Sequence, residues 1–224
     1  MPPPDPADAW RHVRLALRQQ GLLLQADATL PNVAALVAGA PVRGSWWSHP
    51  AGRAIWAVCE QLAAHPDALA VKLVDRKTTW VHRRLWPALL AVATAGEPWQ
   101  TARLSSAARA LAARLRREGE LVSHGEAARE LQARLLALGE EQHTPGGKHV
   151  MRLVSWERWA ERDLLPPPAM APEHGRLMLE ETLRALGGEA AMARLPWRAQ
   201  GRARRSQQAA TPARAGRRRA AQGA

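Results

Sequence analysis

Apolar positions along the chain follow two rhythms, one near four residues and one of two. From Ala9 to Gln20, Trp10, Val13 and Leu17 recur at helical spacing and Gly21 stops the run, which predicts a first helix. Pro31 is expected to open a short helix over NVAALVAG, because proline suits a first turn whose N–H has no partner, and Gly39 and Pro41 close it. Beyond the loop PVRGSWWSHP, Ile55, Cys59 and Leu62 share one face of a helix from Ala51 to Ala64. The rhythm then changes. In ALAVKLV, Leu69, Val71 and Leu73 alternate with Ala70 and Lys72, which predicts a strand. Asp75-Arg76-Lys77 reads as its turn, and TTWVH, rich in β-branched and aromatic residues, as the returning strand of a hairpin. RRLWPALLAVATA is a further helix, and GEPWQ a short linker.

The second half repeats this order. SSAARALAARLRREG places Ala108, Leu111 and Leu115 on one helical face, with arginines on the other, and ends at Gly119. GELVS is expected to be a turn, and Ser123 with Glu126 has the spacing of a capping box opening a helix through Leu131. LLALGEEQH, the apex TPGGK and HVMRLVSW then predict a second hairpin. Two copies of helices followed by a wing bury little each and gain by sharing a core. The expected fold class is therefore mainly α with small β-hairpins (α+β), as tandem winged-helix-like units. PPPAMAP reads as a spacer, and GRLMLEETLRALGG, with Leu179, Leu183 and Leu186 on one stripe, as a last helix docking on the body.

Composition divides the chain further. Hydrophobic residues form 46% of 224, enough to bury a core in one large or two small domains. The net charge is +12, yet Arg194, Arg198, Arg202, Arg204, Arg205, Arg214, Arg217, Arg218 and Arg219 all follow the last acidic residue, Glu189. They supply nine of those charges and leave +3 for residues 1–190. The expected divisions are a disordered start (1–8), a first unit (9–95), a linker (96–104), a second unit (105–163), spacer and helix (164–188), and a disordered basic tail (189–224). Such a tail meets an anionic polymer by releasing counterions. The single Cys59 excludes an internal disulfide and fits a reducing compartment. The start, MPPPDPADAW, has neither a basic stretch nor an apolar run, and no segment is long and apolar enough to span a bilayer, which argues for a cytoplasmic protein without a membrane partner. Ten Trp beside no Phe and no Tyr are attributed to codon bias rather than to a demand for indoles.

Several positions are candidates for contact with DNA. His124, Arg129 and Arg134 lie on the helix that occupies the recognition position of the second unit, with Lys148 on its wing; a solvated helix face is the plainer reading. Arg76 and Lys77 hold the equivalent place on the first hairpin, and Arg202, Arg204, Arg205, Arg217, Arg218 and Arg219 extend the charge along the tail. In Gly44-Ser45-Trp46-Trp47-Ser48-His49-Pro50, either both indoles pin the loop to the body or one is exposed and stacks on a base. His143 and His149, even with Cys59 or His82, match no closed zinc set, so neither metal nor cofactor is expected. Gln25 and Asp27 would face the same side if their segment is extended, and opposite sides if it is helical.

With this tandem order, the segments QQGLLLQAD, GSWWSHP and SWERW resemble bacterial winged-helix proteins related to the AlkZ-type DNA glycosylases, over residues 9–163. That family removes alkylated or crosslinked bases with two polar residues around one apolar residue, either two glutamines or a glutamine and an aspartate. Gln25 and Asp27 match the pattern here. The resemblance implies that the damaged nucleotide is extruded, that Asp27 stabilises positive charge on the sugar or orients a water, and that Gln25 positions that water. The chain is shorter than full-length members. The leading expectation is therefore a non-enzymatic protein that binds duplex DNA, a regulator or a repair accessory. A glycosylase comes second, and a helical protein-interaction scaffold third.

Overall fold

The computed structural model describes residues 6–143 and 149–198. The chain is α+β, with two small antiparallel three-stranded sheets set among helices. In the first half, α1 (Pro6–Gln20) leads to β1 (Leu22–Leu24), α2 (Val33–Ala38), a 3-10 turn at Trp46–Ser48 and α3 (Gly52–Ala63). A hairpin of β2 (Ala68–Val74) and β3 (Lys77–His82) follows, and β3 lies between β1 and β2. Gly21 makes the turn from α1 into β1 at φ +80°, a conformation a side chain resists. β1 was not expected. All three of its leucines are fully buried, so the segment has no polar alternation to reveal a strand.

α2 opens differently from the expectation. Pro31 precedes the cap, and Asn32 is the N-cap, its Oδ1 accepting from Ala35 N at 2.9 Å while its Nδ2 donates to Asp27 O and Leu30 O. The predicted hairpin forms with a two-residue turn, Asp75-Arg76, both in the left-handed region at φ 49° and 60°.

A 3-10 turn at Arg83–Leu85 leads to α4 (Trp86–Ala93), followed by α5 (Pro98–Thr101), α6 (Ser106–Glu118), β4 (Glu120–Val122) and α7 (Glu126–Ala133). Next come β5 (Leu138–His143), β6 (His149–Val154), α8 (Trp156–Arg162) and α9 (Pro172–Met192). The apex of the second hairpin lies outside the described residues. GELVS is not a turn. Its residues 120–122 form β4, which pairs with the central strand β6, and Ser123 N continues the ladder by donating to Met151 O at 3.0 Å. Tied there, Ser123 does not cap α7, whose N-cap is Gly125 at φ +88°.

The expected linker is a packed joint. Gln100 on α5 is fully buried and donates to Ala93 O (2.9 Å) and Arg134 O (3.4 Å), while its Oε1 accepts from Glu97 N. The last helix does dock on the body: Gly175 of α9 sits so close to α4 that a Cβ would lie 2.6 Å from Ala88 O. The chain does not lose order at Gly188. α9 kinks at Gly187–Gly188, resumes to Met192, and the segment then buries Ala191, Met192 and Leu195 in the core. A composition dominated by arginine and alanine hides that short apolar face. Residues 199–224 lie outside the described residues.

Candidate functional site: an indole-lined cleft on the first sheet

Cross-strand register, rather than sequence proximity, assembles the site. Leu23 pairs with Trp80 and Ala70 with Trp80, and one step further Gln25 N donates to Thr78 O at 2.9 Å. Because alternate residues share a face, Ala70, Lys72, Thr78 and Trp80 lie on one side of the hairpin, with Gln25 at the end of the neighbouring strand. Lys72 Nζ donates to Thr78 Oγ1 at 2.8 Å. These side chains floor a cleft of about 570 Å³, walled on one side by Trp56 and Cys59 of α3 and on the other by Gly139 and Glu141 of β5. Gln25, Trp56, Thr78 and Glu141 also line a shallower groove of about 600 Å³ that carries Trp46 and Trp47, so the two spaces adjoin.

The two adjacent indoles divide their roles. Trp46 is half-buried against the first unit's core, whereas Trp47 is 62% exposed and stacks on it at 4.2 Å with 23° between planes. Trp56 lies 5.1 Å from Trp47. A large aromatic held flat and open beside a cleft is a platform for another planar ring.

Gln25 and Asp27 do not share this space. The chain bends after Gln25, and the Asp27 side chain, 2% exposed, lines neither the cleft nor the groove. Its Oδ1 accepts from Thr29 N (3.0 Å), Thr29 Oγ1 (3.1 Å), Leu30 N (3.1 Å) and Arg194 Nη1 (3.2 Å); its Oδ2 accepts from Lys77 Nζ (2.8 Å) and Arg194 Nη2. Burial alone would raise its pKa, but the Arg194 and Lys77 hydrogen bonds and the two amides overcome that and hold the carboxyl far below the usual range. So held, it is a poor proton acceptor near neutral pH, and two cations balance its charge. Arg194 also binds Asp75 of the hairpin turn at 2.6 Å, so the C-terminal segment is fastened to the first unit.

The other candidates are placed unevenly. Arg76 is exposed at the hairpin apex, and Lys77 is tied to Asp27. His124 and Arg129 are exposed at the start of α7, Arg129 paired with Glu126 at 3.0 Å. Arg134 does not face outward. It is 17% exposed and donates to the carbonyls of Trp99, Gln100 and Ala102, because three ends of the α5 joint need a donor there. Lys148, Arg202, Arg204, Arg205, Arg217, Arg218 and Arg219 lie outside the described residues. His143 and His149 are register partners across the second hairpin, and among the described residues no group of three or more His, Cys, Asp or Glu is placed to hold a metal. Burial pushes the Cys59 thiol up to about 12, with Glu60 adding to the shift, so the thiolate is scarce. Lys72, Thr78 and Trp56 were not singled out in the sequence. The signal available was Lys72 as the polar member of the ALAVKLV alternation.

No helix among the described residues is long and apolar enough to cross a membrane. Comparisons with known protein families, curated proteins and solved structures gave no match to this chain.

Proposed function

We propose that this chain binds DNA through two winged-helix-like units and holds an unstacked base in the cleft of the first. The observation that carries this reading is Trp47, exposed and stacked on Trp46 in the groove that adjoins the cleft, with Gln25 lining both spaces. A base leaving the duplex offers the π-face that such an indole accepts and the edge that an amide reads. The order helix, strand, two helices, hairpin, with the hairpin's second strand central in its sheet, supports a wing in the first half, and Arg76 supplies a cation at its apex. In the second half, helix, strand, helix and hairpin repeat the scheme with one helix fewer. The arginines beyond residue 198 add affinity that does not depend on sequence.

Base excision by the Gln25–Asp27 pair is the less favoured reading. It requires a carboxylate at the sugar, and Asp27 is turned from the cleft and neutralised by Arg194 and Lys77. The test of binding is fluorescence anisotropy with a labelled duplex carrying one unpaired base against its fully paired counterpart. Trp47→Ala is expected to weaken the unpaired-base complex by about 5- to 160-fold, the range of one base–aromatic stack, and the paired complex little. Equal loss on both duplexes, or none on either, would remove the proposal.

A further inference from the structure

The chain carries 32 Lys and Arg, of which only Lys72, Lys77 and Lys148 are lysines. For binding phosphate either residue serves, and this sequence almost always uses arginine. The two differ in one chemical respect: an arginine side chain does not lose its proton in a protein, whereas a lysine amine does when it is desolvated. A lysine in a cleft is therefore the position to ask what an amine does there that a guanidinium cannot.

Of the two lysines within the described residues, Lys77 is half-exposed and committed to Asp27. Lys72 is the one in the cleft. It rises from the middle of β2 between Ala70 and Thr78 and lies within reach of the space bounded by Trp56, Trp80 and Gln25. Among the described residues its hydrogen-bond partner is a neutral hydroxyl, Thr78 Oγ1, and no carboxylate forms an ion pair with it, although Glu141 faces it across the cleft. Burial lowers the pKa of its ammonium, with Glu141 partly opposing the shift.

Resting on the DNA-binding reading above, we propose that Lys72 is a nucleophilic amine that captures the aldehyde of a ring-opened abasic sugar in DNA. An abasic position needs no base to be displaced, so its sugar enters the cleft while the neighbouring base stacks on Trp47. The lone pair of the neutral amine attacks the aldehyde carbon and a C–N bond forms as the carbonyl π-bond opens to a hydroxyl. Both amine hydrogens then depart with that oxygen as water, leaving an imine between Lys72 Nζ and the sugar carbon. The step is reversible and redox-neutral.

Cyanoborohydride delivers a hydride to such an imine and fixes it as a stable amine. The experiment mixes the full chain with a labelled duplex containing one abasic site, adds cyanoborohydride, reads the covalent adduct on a denaturing gel and maps the modified peptide by mass spectrometry. Affinity for the same duplex is measured in parallel by anisotropy. The expected result is an adduct at Lys72. Lys72→Arg, which keeps the charge but has no amine to deprotonate, is expected to reduce capture at least about 100-fold, far beyond any change in affinity. Binding without an adduct, an adduct mapped to Lys77, Lys148 or the N-terminus, or capture and affinity falling in step overturns the inference and leaves the binding reading intact. Absence of binding to any duplex overturns both.

Discussion

Asp27 is committed to structure by every oxygen it has. Two backbone amides, a threonine hydroxyl, a lysine and an arginine converge on one carboxylate that is 2% exposed, and through it the β1–α2 loop, the first hairpin and the C-terminal segment are joined. Asp27→Asn keeps the shape and removes the charge. It is expected to cost about 2–4 kcal/mol in urea unfolding, somewhat less than a fully buried pair because the half-exposed Lys77 regains water. The sign of the pH dependence follows from the direction of the shift. A carboxyl held low in the folded state binds its proton more readily when unfolded, so its contribution is complete above the unfolded value of about 3.9 and is lost as pH falls below it. The stability gap between wild type and Asp27→Asn should therefore be nearly full in unfolding curves at pH 5, begin to close near pH 4 and close further at pH 3; a constant gap would show that the ion pairs contribute nothing. Glu97, Glu140 and Glu180, each desolvated yet hydrogen-bonded by arginine, are held low in the same sense and steepen the acid limb of both proteins.

Among the elements, the segment after the α9 kink changes what a tail deletion means. Leu195 is fully buried, Trp197 Nε1 and Arg198 Nε both donate to Glu180, and Arg194 fastens the first hairpin. Truncation after Gly188 is expected to lower the melting temperature, since it removes this packing and these ion pairs along with the charge. Truncation after Arg198 should leave the melt unchanged while removing seven arginines, and it should flatten the salt dependence of the proposed DNA binding by up to about 0.9 in the log–log slope for each phosphate that those arginines neutralise. Identical melts for the two truncations would mean that residues 189–198 add no stability. The same segment shows where sequence reading succeeds and fails. Long periodic runs were legible: the alternation in ALAVKLV, the stripe Leu179–Leu183–Leu186 and the face Ala108–Leu111–Leu115 all belong to the elements they predicted. Leu22–Leu24 and Glu120–Val122 were not, because three residues carry no period, and each becomes a strand only when a distant hairpin offers it an edge. The site divides in the same way. Trp46 and Trp47 could be flagged from their loop, but whether Arg134 or Arg194 faces solvent depends on which carbonyls and carboxylates tertiary packing brings to it. The partnership of Lys72 with Thr78 exists only in the hairpin register.

For the whole molecule, the question is whether the two sheets, with the helices around them, behave as one body, since the cleft takes its walls from both. A single apolar cluster answers it. Leu69, Val71 and Val81 from the first sheet, Leu138 and Val154 from the second, Leu89 of α4 and Leu179 of α9 all belong to one buried core. At the junction Trp86, Trp156 and Trp159 meet edge to face, with centroids 5.2 Å and 5.5 Å from Trp159, and two of the indoles have their N–H groups satisfied by Val81 O and Leu135 O. Trp159 is 1% exposed, so Trp159→Ala empties the centre of this joint and is expected to cost about 3–5 kcal/mol. If the halves share their stability, calorimetry should show one transition with equal calorimetric and van't Hoff enthalpies, and the substitution should move that transition as a whole by about 6–20 °C. Two transitions, only one of them displaced, would mean that Glu141 and Gly139 swing free of Lys72. The cleft would then be a gap between mobile parts rather than a fixed site, and capture of an abasic sugar would lose the preorganised wall on which it depends.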